Sequence, residues 1–256
     1  MVLNIPFIFY PMKKQADYIY SKADNIVAVS KTYANRAAIV NKKHKKKLSV
    51  FLGTDLEYFD KCKIEHEIVP FDDVVRLAYI GTLGHSYDIK TTIDALKILK
   101  DKGMKNILFV VMGDGPLKGE FEIYAKEKDV FYEFSGHLNY EEMVGKLCSC
   151  DIAVNPIKSG SAASIINKVG DYAAAGLPVI NTQESNEYRK LVEDYQIGYN
   201  VENGDAKDLA AKLEMLYKDE KLRKRLGKNN RKLAEEKFNR NLTYMKIKEL
   251  IENCEE

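Results

Sequence analysis

Val74-Val75-Arg76-Leu77-Ala78-Tyr79-Ile80 runs directly into Gly81-Thr82-Leu83-Gly84-His85-Ser86. The first seven residues form a short, nearly continuous apolar run, and the next six are small or turn-forming. A strand of this kind is buried on both faces, as in a parallel sheet covered by helices. The pattern recurs downstream. Apolar, β-rich runs follow at Ile107–Met112, Val130–Phe134, Ile152–Asn155, Pro178–Asn181 and Ile197–Val201. Between them lie helical spacings: Ile93, Leu96 and Leu99; Met143 and Leu147; Val169, Tyr172 and Ala173. Strands alternating with amphipathic helices imply βαβ units with right-handed crossovers. The predicted fold is α/β: a doubly wound, parallel, Rossmann-like sheet.

After Gly204-Asp205 the pattern becomes purely helical. Leu209, Leu213 and Leu216, then Leu222 and Leu226, then Tyr244, Ile247 and Ile251 mark successive amphipathic faces. On the other side of Val74 the chain changes character. Asp17–Ala23 predicts a helix, Ile26–Val29 a strand, Ser30 an N-cap, Lys31–Val40 a helix and Leu48–Leu52 a strand. That is too little for an independent core. Residues 61–73, charged and carrying Pro70, are expected to be a linker. The expected organisation is therefore 1–60, a small remnant of another domain; 61–73, the linker; and 74–256, the main domain with closing helices.

Composition narrows the function classes. The 256 residues are 45% hydrophobic and 30% charged, with net charge +2. This is ordinary globular composition, too balanced for a nucleic-acid binder. No run of 18 apolar residues is present, so no spanning helix is expected. The opening Met1–Lys14 is apolar and then basic, the reverse of a secretory signal. Cys148 and Cys150 lack a second pair or histidines at zinc spacing, so Cys62, Cys148, Cys150 and Cys254 read as reduced intracellular thiols. Lys42-Lys43-His44-Lys45-Lys46-Lys47 is expected to be a solvated turn, with weak attraction to acidic lipid as the alternative.

Ligands of a doubly wound sheet bind beyond the carboxyl ends of its strands. Four loops there stand out. Gly81, Thr82, Leu83 and Gly84 permit close backbone approach to a ligand. Met112-Gly113-Asp114-Gly115-Pro116 invites comparison with a dinucleotide fingerprint, but the third glycine is replaced by Lys118 and the strand is not the first of the sheet, which argues against NAD. Gly136 and His137 follow the third strand and can border a flat base. Gly160, Ser161 and Ser164 lead into a helix expected over Ile165–Ala175, whose amide end is an anion site in principle. On that helix Lys168 and Asp171, spaced i, i+3, can face one side. The lysine could neutralise a diphosphate and the carboxylate could accept from ribose hydroxyls; the plain alternative is an ordinary surface pair.

Gly81-Thr82-Leu83, Val111-Met112-Gly113-Asp114-Gly115, Phe134-Ser135-Gly136, Asp151–Pro156 and Asp171-Tyr172-Ala173-Ala174-Ala175-Gly176-Leu177-Pro178-Val179-Ile180 together resemble, in order and spacing, the donor-binding domain of GT-B glycosyltransferases, most closely the retaining family 4. Ala23–Ser30 resembles the last strand of that family's first domain, and Gly53-Thr54-Asp55 with Phe59 resembles the start of its interdomain linker. The chain departs from the pattern at three points. The first acid of the family's E-x7-E pair falls on Ala163, with Asp171 standing for the second. Thr82 and Tyr87 occupy the places of a loop arginine and lysine. Lys168, within Asn167–Tyr172, matches a subset carrying lysine three residues before the acid.

The resemblance implies transfer of a sugar, with retention, from a UDP-, GDP- or other nucleotide-diphosphate sugar to a polysaccharide, lipopolysaccharide, glycan or lipid-linked acceptor. Gly81, Thr82, Leu83, Gly84, Asp114, Gly136, His137, Gly160, Ser161, Ser164, Lys168 and Asp171 are the implied donor-binding residues. No cofactor, metal or nucleic acid is implied. Catalytic residues are expected largely in a more complete first domain, and correct alignment of the acceptor is worth about 7–11 kcal/mol. The chain is expected to be cytoplasmic, with peripheral contact at the inner face of the membrane. Two other readings remain: a non-catalytic subunit that docks a separate first-domain partner, and a nucleotide-sugar epimerase of the same fold.

Overall fold

The computed structural model describes residues 9–43, 46–161 and 165–253. The chain forms two compact units, one of Met1–Leu52 with Thr243–Glu256 and one of Gly53–Leu242. No helix among the described residues is long and apolar enough to cross a membrane.

In the first unit, α1 (Tyr10–Lys22), β1 (Asn25–Ala28), α2 (Lys31–Ala38) and β2 (Lys46–Ser49) follow in order. β1 and β2 pair in parallel, Asn25 opposite Lys46. Ser30 caps α2 by accepting the Tyr33 N–H, as its position predicts. α1 begins seven residues before its expected start. Pro11 lies in its first turn, where a missing N–H costs nothing, so it starts the helix rather than breaking it. β2 sits earlier than the expected Leu48–Leu52 and draws Lys46 and Lys47 into a strand. The lysine run is thus only partly a loose turn: Lys43 pairs with Asp24 at 3.0 Å, and Lys47 donates to Asn35 at 2.9 Å. His44 and Lys45 lie outside the described residues.

The second unit is built on six parallel strands: β3 (Val75–Ile80), β4 (Ile107–Met112), β5 (Tyr132–Gly136), β6 (Ile152–Asn155), β7 (Val179–Asn181) and β8 (Gly198–Asn200). Their spatial order is β5-β4-β3-β6-β7-β8. The chain starts at β3, winds outward to β5, then returns to β6 beside β3 and winds the other way. Loops leaving β3 and β6 therefore diverge, opening a crevice at the carboxyl ends of the central strands. Leu77, Ala78 and Tyr79 of β3 are fully buried, which explains the unbroken apolar run.

Helices α3 (Leu56–Glu65), α4 (Ile89–Asp101), α5 (Lys118–Glu127), α6 (Tyr140–Cys148), α7 (Lys168–Ala174), α8 (Asn186–Asp194), α9 (Ala206–Lys218) and α10 (Glu220–Leu233) complete the layers, followed by a π-helical turn (Ala234–Phe238) and α11 (Arg240–Glu252). Ile93, Leu96 and Leu99 of α4 share a core with Leu209, Leu213 and Leu216 of α9. Four expectations need correction. The stretch 61–73 opens inside α3, where buried Cys62 and Phe59 hold the helix to Glu65. β5 begins two residues late, because Val130 closes α5 with an N–H to Ala125 O bond of 3.2 Å after Asp129 turns left-handed at φ 52°. α7 begins at Lys168 rather than 165. On α11 the buried residues are Thr243 and Leu250, whereas Tyr244 and Ile251 are exposed.

Gly113 carries the closest approach among these loops. Its φ is +148°, and a Cβ there would lie 1.9 Å from the Gly81 carbonyl oxygen. Gly119, on α5, has open space around it. Gly113→Ala should lower unfolding stability by roughly 3 kcal/mol or more, as a forced backbone shift in a packed site does. Gly119→Ala should raise it by up to about 1 kcal/mol through helix propensity. Urea unfolding of the two variants measures the contrast.

Candidate functional site

The loops at the carboxyl ends of the strands are tied together by backbone hydrogen bonds. Gly81 N–H donates to Met112 O at 2.9 Å, Leu83 N–H to Asp114 O at 2.8 Å and Gly113 N–H to Gly136 O at 2.8 Å. Asp88 N–H donates to Pro156 O at 2.8 Å, and Lys158 N–H to Ser86 O at 3.0 Å. The ends of β3, β4, β5 and β6 therefore form one continuous rim. The close approach of Gly113 to Gly81 explains the glycine that a dinucleotide motif would otherwise have claimed.

Lys168 is the unusual group. It opens α7 and is 8% exposed. Its ammonium lies 4.0 Å from the ring centroids of both Tyr79 and Tyr87. Among the described residues its Nζ has no hydrogen-bond partner. A Cβ added to Gly81 (φ +125°) would sit 2.8 Å from that Nζ, so the ammonium rests against the backbone at the end of β3. Tyr79 is fixed in turn by donating to Thr82 O at 2.7 Å, and its ring meets that of Tyr87 edge-on. Burial holds the Lys168 pKa well below the usual lysine value.

Asp171, one turn along, faces other partners. Thr54 Oγ1 and Tyr140 OH both donate to its Oδ1, at 3.1 and 3.3 Å. Burial pushes its pKa up to about 6, against the opposing pull of the Thr54 and Tyr140 hydroxyls and the Arg240 charge. Tyr140 begins α6, directly after the β5 loop, so this carboxyl also lies toward the carboxyl side of the sheet. Lys168 and Asp171 do not pair with each other, and neither is an ordinary surface residue.

The other predicted residues divide. Thr82, Asp114 and His137 are exposed on the rim, Gly84 is half-buried, and Gly136 is buried and close to the Lys118 ammonium. Leu83 is fully buried, so its side chain belongs to the core and its N–H is already engaged. The expected free amides before α7 are partly taken. Gly160 N–H donates to Glu184 Oε2 at 3.1 Å and Ser161 N–H to Lys158 O at 3.1 Å; within α7, Gly170 N–H donates to Asn167 O at 2.9 Å. The Ser159 hydroxyl, then the Gly160 amide, hold the Glu184 pKa below the usual carboxylate value. Ser164, with Ala162 and Ala163, lies outside the described residues.

Four further residues belong to this constellation: Tyr79, Tyr87, Thr54 and Tyr140. Tyr87 and Tyr140 could have been flagged as aromatics next to strand-end loops. Tyr79 reads as core, and nothing local links Thr54 to a residue 117 positions later.

The fold and the rim at its switch point define the class: this is the doubly wound sheet of the GT-B glycosyltransferases. The chain is similar in structure to Anabaena HepE in complex with UDP, with TM-score 0.79 and 14% identity, over 98% of this chain and 70% of that one. The family described as "Glycosyl transferases group 1" matches residues 61–233, and the chain belongs to it. Among curated relatives, it is 25% identical to the capsular polysaccharide biosynthesis glycosyltransferase CapM of Staphylococcus aureus, over 95% of this chain and 64% of that protein. It is 26% identical to an N-acetyl-D-galactosaminyltransferase of Campylobacter jejuni, over 71% of this chain and 53% of that protein. The chain thus spans about half to two-thirds of the length of these relatives.

Asp171 should affect stability in a pH-dependent way. Its folded pKa of about 6 lies above the ordinary value of 3.8, so the ionised form opposes folding. Its effect is absent at low pH and grows as pH rises from 3.8 to about 6. Asp171→Asn should therefore be more stable than wild type at pH 8, on the order of 1–3 kcal/mol, with the gap closing near pH 4. Urea unfolding at the two pH values reads this directly.

Proposed function

We propose that this chain is the donor-binding half of a nucleotide-sugar-dependent glycosyltransferase that moves a hexosyl or related unit with retention. The observation that carries this reading is Lys168: an enclosed amine without a hydrogen-bond partner among the described residues, at the carboxyl end of the central strand. Such a group calls for an anion. A donor diphosphate lying across the rim at Gly81–Gly84 would supply one. The Asp171 carboxyl would accept from ribose hydroxyls. Gly136 and His137 would border the base, with Asp114 on the adjoining loop and Gly160 and Ser161 on the far side of the diphosphate; Ser164, outside the described residues, is proposed from the sequence alone. Two observations support the donor class: HepE has been seen with UDP, and the matched family is one of transferases. Membership of that family favours transfer over a purely docking role.

The acceptor in this proposal is a glycan, either a polysaccharide or a lipid-linked chain. CapM is named for capsular polysaccharide biosynthesis, and the name of the Campylobacter enzyme carries a PP-undecaprenol glycan. A lipid-linked acceptor would place the reaction at the cytoplasmic, inner face of the membrane. Residues that hold the acceptor and act on the anomeric carbon would come largely from a fuller first domain, on the same or a separate polypeptide. The 53–242 unit alone would bind donor and transfer poorly, because alignment of the two reactants carries much of the rate.

Calorimetric titration with UDP and GDP tests the reading. Asp171→Ala should weaken the better-bound nucleotide at least about 10-fold, the value of a charged hydrogen bond. Lys168→Met should weaken it at least as much without lowering Tm, since it replaces an enclosed charge with an apolar group of similar length. Unchanged affinity in both variants would remove the pair from the donor site.

A further inference from the structure

We propose that Thr54 and Tyr140 are positioning residues for Asp171: they occupy one oxygen of its carboxyl and leave the other, Oδ2, for the hydroxyls of the bound nucleoside. The inference rests on the donor-site reading and deepens it. Both hydroxyls converge on the same atom. Thr54 Oγ1 donates to Oδ1 at 3.1 Å and Tyr140 OH donates to Oδ1 at 3.3 Å. An oxygen that already accepts two hydrogen bonds has little capacity left, whereas neither hydroxyl reaches Oδ2. The arrangement gives the carboxyl a fixed side and an open side.

Each donor is itself held. Thr54 is buried, and its backbone is bonded on both sides. Its N–H donates to Phe238 O at 2.7 Å, and its carbonyl accepts from Arg240 N–H at 3.0 Å. The residue before Asp171 is Gly170, where a Cβ would stand 2.8 Å from Thr54 Oγ1. Any larger side chain there would push Thr54 away from the carboxyl, so glycine at 170 permits the contact. Tyr140 is braced from its other face. Its ring stacks on Tyr58, with centroids 5.9 Å apart and an interplanar angle of 8°. The Tyr58 hydroxyl is bonded to Glu141. Two elements therefore reach the α7 carboxyl, the segment before α3 and the start of α6, and α3 braces the second through Tyr58.

A carboxyl on a short aspartate side chain has two torsions that can turn it away from a ligand. Two rigidly mounted donors on one oxygen fix both. They also stabilise the charged form, which burial would otherwise disfavour. Arg240 is the charged group that adds to this effect, and the enclosed Tyr172 is the other titratable neighbour. Lys168 is turned toward Tyr79 and Tyr87 instead. Removing either hydroxyl should thus free the carboxyl and raise its titration midpoint.

The experiment uses Thr54→Val, Tyr140→Phe, the double variant and Thr54→Ser in the full chain. With carbon-13 in the aspartate carboxyls, the resonance lost in Asp171→Asn identifies Asp171, and its titration is followed by NMR. Wild type should titrate at about pH 6. Thr54→Val and Tyr140→Phe should each titrate higher, the double variant higher still, and Thr54→Ser, which keeps the hydroxyl, like wild type. At pH 8, UDP-glucose or GDP-mannose, whichever wild type binds more tightly, should bind each hydroxyl-less variant roughly 3- to 10-fold more weakly. A midpoint that stays put in both single variants overturns the inference, as does full affinity in both alongside loss of affinity in Asp171→Asn. Shifted midpoints with full affinity in Asp171→Asn would instead sink the donor-site reading and leave the hold on the carboxyl standing.

Discussion

The Lys168 ammonium, enclosed against two tyrosine rings and without a hydrogen-bond partner among the described residues, sits under the carboxyl end of the central strand. Enclosing a charge costs several kcal/mol, and two ring faces return about 2 kcal/mol each at best. The site is therefore poised: the fold tolerates the ammonium, and an anion would complete it. The surrounding rim makes this tolerable. Gly81 and Gly113 let two loop backbones meet without side chains between them, and the Lys168 ammonium rests against Gly81.

The short α7 helix separates what its sequence spacing suggested would act together. Residues at i and i+3 share a helix face in a regular helix, yet Lys168 reaches the β3 loop and Asp171 reaches Thr54 and Tyr140. Lys168 is the first residue of the helix, so its side chain leaves from the approach to α7 rather than from its flank. Asp171 sits beside Gly170, where α7 presses against Thr54. The two charged groups are thus set at different parts of one rim, cation toward β3 and carboxyl toward α6. On the proposed reading, that separation suits a ligand with a diphosphate at one place and a ribose at another.

The sheet was legible because its strands are enclosed on both faces. Val75–Ile80, Ile107–Met112 and Ile152–Asn155 are short, nearly continuous apolar runs alternating with helical segments, which fits a parallel sheet. Boundaries governed by turns were harder. β5 starts late because Asp129 takes a left-handed conformation that no apolar pattern announces. On α11 the buried positions are Thr243 and Leu250, and the more apolar Tyr244 and Ile251 face outward, so hydrophobicity alone picked the wrong stripe. In the site, the lysine and aspartate were visible as residue types. Their partners were not, because Thr54 meets Asp171 only through the return of the chain at Phe238–Arg240, a contact with no local signature.

One departure from the family pattern acquires a physical sense from this geometry. The resemblance leads one to expect a cation at position 87, and the chain has a tyrosine. Tyr87 does not leave the site without charge: its ring lies against the Lys168 ammonium, beside the ring of Tyr79. The positive charge has in effect moved from the β3 loop to the start of α7, and the loop position has become its brace. A lysine at 87 would place a second cation against the first. On the proposed reading, the tyrosine at 87 and the lysine at 168 are thus one arrangement: the helix supplies the amine and the loop position braces it.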